Sequence, residues 1–173
     1  TGAIGESGAG INPTMAPVPL ADAEKEGLEF AKKAGVPALK DLRALSSRDL
    51  YEIYNESKRF GFPVVLDGYF LPKYLPEIFT SKQHSDIPLL AGWNSAEIPG
   101  GAFMYGMANT PENFITRVKK EYPETFDQVL KLYPHANADE VAISSTQLAS
   151  DRFISYSTWK WTDLAVNNGT KPV

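Results

Sequence analysis

The chain opens "TGAIGESGAG", residues 1–10, and the reading of this stretch decides the fold. Residues 1–4 are short and apolar and end at Gly5, as the end of a buried strand would. Gly5-Glu6-Ser7-Gly8-Ala9 comes close to G-x-S-x-G, the turn that exposes a nucleophilic serine between a strand and a helix. Ala9 stands where the last glycine belongs, and Gly10 follows one position too late. The residues after it, "GAGINPTMAP", start a helix poorly. No HGGG-type oxyanion loop occurs anywhere in the sequence. A nucleophilic Ser7 is therefore not the expected reading.

The 173 residues suit one domain, and 43% of them are hydrophobic, enough for a sizeable core. A net charge of −4 without a Lys/Arg cluster speaks against a nucleic-acid partner. No apolar run approaches the roughly 20 residues that span a bilayer, so no membrane role is expected. With no cysteine, the chain makes no disulfide and performs no thiol chemistry. His84 in "KQHSD" and His135 in "YPHAN" stand in polar turn contexts and are expected at the surface. Two isolated histidines are too few to argue a metal site, and no cofactor is implied.

Further along, the periodicity predicts three short helices within residues 20–57. The first carries Leu28, Ala31 and Ala34 on one face and closes at Gly35; Pro37 opens the second; Ser46 with Asp49 caps the third. "FPVVLDGYFLP", residues 62–72, carries β-branched and aromatic residues on both sides of Asp67-Gly68, which predicts a hairpin turn. "IPLLAGW", residues 87–93, is a compact apolar run suited to a buried parallel strand. Residues 94–110 read as a long Gly-rich loop. Thr110-Pro111 opens a helix that faces Phe114 and Val118 inward, and Pro123 opens another. Residues 138–167 are helical again, with a break expected near Ser150-Asp151, and Asn168-Gly169 ends the run.

Taken in series, these stretches resemble the type-B carboxylesterases, the α/β-hydrolase family of cholinesterases and para-nitrobenzyl esterases. "AIGESGA" resembles a family motif that lies downstream of the true G-E-S-A-G elbow. "DLRALSSRDLYE", "FPVVLDGYFLPKYLPEIF", "IPLLAGWNSAE" and "SDRFISYSTWKWTDLA" resemble the family's later motifs in order and spacing. The resemblance implies an α/β fold: a helix-rich part of an α/β-hydrolase domain over residues 1–173, with a small remnant of its parallel sheet. It implies that the nucleophilic serine precedes this stretch and the catalytic histidine follows it. "GTKPV" would then begin the strand leading to that histidine.

In such an enzyme the triad runs Ser, then Asp/Glu, then His. Glu97 follows "IPLLAGW" at the end of a core strand, where reacting groups collect in open α/β sheets. The resemblance makes Glu97 the triad acid and Ser7 a hydrogen-bond donor near it. A Glu in a loop, read by itself, is a solvated charge. Ile98-Pro99 departs from the family, which commonly has glycine after this Glu. Asp151 resembles a family aspartate in a structural ion pair. Phe103, Met104 and Tyr105 are expected in the core, with lining of an acyl or alcohol pocket as the alternative.

The function so implied is hydrolysis of a small-molecule carboxylic ester through an acyl-serine. This chain would supply the acid and have the rest of the hydrolase domain as partner, and by itself it would be inactive. A periplasmic or secreted location accompanies the resemblance. Two other readings stand beside it: a non-catalytic adhesion or binding relative with a decayed triad, and a free-standing helical binding module. The latter leaves "AIGESGA" and "IPLLAGW" unexplained. Asn168-Gly169-Thr170 matches a glycosylation sequon, a pattern common by chance.

Overall fold

The computed structural model describes residues 1–8, 10–11, 16–36, 38–57 and 61–173. Ala9, much of the Pro-rich stretch after it, and Pro37 lie outside the described residues. The chain divides into two compact units, Thr1–Thr14 with Pro76–Val173, and Met15–Leu75. Both are helix-rich and each holds one small parallel strand pair.

The larger unit is organised around β1 (Ala3–Glu6) and the parallel strand Leu89–Gly92, in the register Ala3 to Leu89 and Glu6 to Gly92. The intervening residues provide the long connection that a parallel pair needs. One face of the pair is covered. There Ala3, Leu89 and Ala91 pack with Phe79, Trp161, Leu164 and Ala165. Gly5 permits this contact, since a Cβ added to it would lie 2.1 Å from Trp161 Cζ3. The other face is open: Ile4 and Leu90, paired in register, are 71% and 67% exposed. The expectation of a buried strand at residues 87–93 is met on one face only, where Leu89 is buried. The last residues run beside Leu89, whose amide donates to the Pro172 carbonyl at 3.0 Å, although no strand is formed there.

The smaller unit holds β2 (Val18–Pro19), α1 (Leu20–Lys33), α2 (Leu39–Ala44), α3 (Ser47–Glu56) and β3 (Val65–Leu66). The three helices fall where the periodicity puts them. The Ser46 hydroxyl accepts the Asp49 amide, satisfying one of the orphan donors at a helix start. Phe30 is buried, and Phe62 meets its ring edge-on and also contacts Tyr54.

The hairpin expected at Asp67-Gly68 does not form. β3 pairs parallel with β2, not antiparallel with the residues that follow it. The Asp67 carboxylate instead accepts the amides of Tyr69, Phe70 and Leu71. This side-chain turn satisfies backbone donors that a returning strand would otherwise pair. It leaves Tyr69 and Phe70 exposed.

The remaining elements are α4 (Leu75–Thr80), β4 (Leu89–Gly92, the strand described above), α5 (Gly100–Met104), α6 (Pro111–Glu121), α7 (Phe126–Leu132), α8 (Ala138–Ser150) and α9 (Tyr156–Asn168). Helix α5 corrects the long-loop reading of residues 94–110. Pro99 stands at its N-cap, and its apolar Phe103 and Met104 are fully buried. Close approach decides its place. A Cβ on Gly100 would lie 2.3 Å from Ser145 Oγ, on the small-residue face of α8. Thr110 caps α6 through the Asn113 amide, and Phe114 and Val118 are completely buried with Phe103, Met104, Val141, Leu148 and Ala149. Helix α7 starts at Phe126, three residues later than Pro123 suggests. The expected break between α8 and α9 is a π-helical turn, Asp151–Ser155. Gly169 closes α9.

Candidate active site

Ser7 and Glu97 meet beyond the C-terminal ends of β1 and β4. Two features carry the first of them there. The Ser7 amide continues the strand ladder by donating to the Gly92 carbonyl at 2.9 Å. Its backbone then turns left-handed, with φ of +57°. For a residue with a Cβ that conformation costs about 1–2 kcal/mol, so the surroundings must hold it. The next amide, Gly8 N–H, donates to Thr158 Oγ1 at 2.9 Å, and Thr158 is completely buried.

Glu97 lies five residues past β4, in the short turn before α5. Its backbone is anchored from the far side. The amides of Glu97 and Ile98 both donate to Ser150 Oγ, each at 3.0 Å, and Ser150 is 2% exposed. Two residues on, the Gly100 amide donates to Thr146 Oγ1 at 3.2 Å. The expected Ile98-Pro99 departure thus ends in a defined turn.

The carboxylate is asymmetrically bound. Oε1 accepts from Ser7 Oγ at 2.5 Å, from the Asn94 amide at 2.6 Å and from Asn94 Nδ2 at 3.1 Å. Oε2 accepts no hydrogen bond among the described residues. The Asn94 amide, then the Ser7 hydroxyl, hold the Glu97 carboxyl below its ordinary value; burial opposes this and is outweighed. Glu97 is thus an ionised carboxylate whose Oε1 takes three hydrogen bonds and whose Oε2 has no donor among the described residues.

Asn94 was legible as part of "IPLLAGWNSAE", but spacing alone assigned it no role. Ser150 and Thr158 were missed. Their only sequence signal is an excess of small hydroxyl residues on helices that otherwise read as amphipathic.

Other expectations separate from this site. Asp151 is bound by the Tyr133 hydroxyl at 2.7 Å and meets no cation among the described residues. The ion pairs nearby converge on Glu121, which meets Arg117 at 2.7 Å and Arg152 at 2.6 Å. Phe103 and Met104 belong to the core, while Tyr105 is 69% exposed and lies 4.3 Å from the Arg117 guanidinium. The histidines are not plain surface groups. His84 stacks on Phe79 and His135 lies against Phe114, and neither hydrogen-bonds Glu97. The Asn168 side-chain amide of the sequon donates to the Leu164 carbonyl.

Among the described residues no group of His, Asp or Glu side chains could hold a metal, and no helix is long and apolar enough to cross a membrane. No protein-family model matches the chain, and no curated protein is similar to it.

Proposed function

We propose that this chain is part of a serine carboxylic-ester hydrolase in which Glu97 is the acid of the triad. The observation that carries the reading is the divided carboxylate. Ser7 and Asn94 saturate Oε1, while Oε2, which has no donor among the described residues, could take one from outside them such as an imidazole N–H. An acid of this kind works by fixing the histidine's tautomer and stabilising the imidazolium. It needs a rigid, ionised carboxylate at the C-terminal edge of a parallel sheet, which Glu97 provides. The exposed Ile4 and Leu90 also suit a sheet face that other parts of the same domain cover, because parallel strands are ordinarily covered on both faces.

In the reaction the serine oxygen attacks the ester carbonyl, and the histidine takes its proton and passes it to the departing alcohol. Water then attacks the acyl-serine by the same route in reverse. On this reading the serine and the histidine belong to other parts of the hydrolase, so residues 1–173 alone should not turn over esters.

The test is hydrolysis of para-nitrophenyl acetate by the full-length protein. Glu97→Gln should leave the fold intact and lower kcat by roughly 10⁴-fold, as the matching change does in a serine protease. Near-normal turnover by that variant would remove Glu97 from the mechanism. Absence of turnover in the unaltered full-length protein would favour a binding or adhesion relative.

A further inference from the structure

We infer that Ser150 and Thr158 are positioning residues for the acid, and that the π-turn between them exists to align the two. The inference rests on the reading of Glu97 as triad acid. Helices α8 and α9 form one continuous rod, interrupted at Asp151–Ser155 by the π-turn. An uninterrupted α-helix advances about 100° per residue, so side chains eight apart point about 80° away from each other. A single π-turn absorbs one extra residue, so that eight positions act as seven and diverge by only about 20°. Ser150 and Thr158 are separated by such a turn.

Both hydroxyls are buried, and each accepts backbone amides from one of the two strand-end turns. Ser150 Oγ takes the amides of Glu97 and Ile98, and Thr158 Oγ1 takes the amide of Gly8, next to Ser7. Thr158 in turn donates to the Ile154 carbonyl within the π-turn, which orients its lone pairs outward. The rod therefore sets the separation of the two turns whose side chains meet in the Ser7–Glu97 hydrogen bond. Without these clasps the carboxylate would keep its charge and lose its aim.

The test compares Ser150→Ala, Ser150→Thr, Thr158→Val and Glu97→Gln in the full-length protein, with aryl acetate as substrate. Ser150→Ala should lower kcat by about 10- to 100-fold with little change in KM, since small misplacements of this kind cost up to that much. It should also move the acid limb of the kcat–pH profile to lower pH. A misaimed carboxylate stabilises the imidazolium less, and the histidine's pKa falls. Ser150→Thr, which keeps the hydroxyl, should restore both. Thr158→Val, which keeps the shape, should reproduce the loss and the shift. It carries the test if Ser150→Ala does not fold.

Normal kcat and an unmoved profile in Ser150→Ala, or in Thr158→Val where Ser150→Ala is unfolded, would overturn the inference. If Glu97→Gln is impaired in the same series, the reading of Glu97 survives that failure. If Glu97→Gln is itself fully active, the proposed function fails instead.

Discussion

Ser7 Oγ donates to Glu97 Oε1 at 2.5 Å across 90 positions of sequence, because the two residues follow the ends of paired parallel strands. The bond helps to hold the carboxyl ionised below its usual range. A folded-state pKa below the ordinary value stabilises the fold above that value and stops doing so as pH falls through the depressed one. Ser7→Ala should therefore raise the Glu97 titration midpoint toward ordinary glutamate, as read by carboxyl ¹³C NMR. If Glu97 is the triad acid as proposed, the same change in the full-length esterase should lower kcat about tenfold, or about 1.4 kcal/mol, far less than Glu97→Gln. An unmoved midpoint would show that the Asn94 amide alone sets it.

Gly5 and Trp161 are in close approach, and the strand pair depends on it. A methyl group on Gly5 would overlap the indole ring. Gly5→Ala should cost about 1–3 kcal/mol, the usual range for overpacking, in urea unfolding. Combined with Trp161→Leu, the two costs should be strongly non-additive, because the smaller side chain removes the overlap. Simple additivity would mean that the strand moves away from the helix instead.

Glu121 sits between two guanidinium groups, with side-chain exposures of 7% for Arg117, 23% for Arg152 and 17% for Glu121. Burial pushes its carboxyl up, but the bonds and charges of Arg152 and Arg117 outweigh this and hold it low. Its contribution is present above the ordinary Glu value and is lost as pH falls through the depressed one. Glu121→Gln should destabilise by roughly 3 kcal/mol at neutral pH, because two partly buried cations lose their counterion. The difference from the unaltered protein should narrow on acidification. A denaturant midpoint equal to that of the parent at neutral pH would contradict this.

Ser46 caps α3 by accepting the Asp49 amide at 3.1 Å. Ser46→Ala should cost about 1 kcal/mol. Hydrogen exchange should show the loss as faster exchange at the Asp49 and Leu50 amides. Unchanged protection there would mean that the cap contributes nothing to the helix.

What the sequence by itself determined was local. Helix starts at Ser46 and Thr110, the stop at Gly169 and the buried faces of Phe114 and Val118 follow from capping chemistry and the 3.6-residue period, which act within a few positions. The Ser7–Glu97 meeting was anticipated through motif resemblance and the expectation of parallel strands. Tertiary structure decided the rest, because its causes lie far apart in the chain. Asp67-Gly68 read as a hairpin, yet β3 found its partner 47 positions back, from Val18 to Val65, and the Asp67 carboxylate took up the local amides. Helix α5 was hidden in a Gly-rich run because its stability comes from Gly100 fitting against Ser145, a contact that propensity does not encode. Ser150 and Thr158 were unreadable for the same reason: a hydroxyl becomes a clasp only when folding brings a distant amide within 3 Å of it.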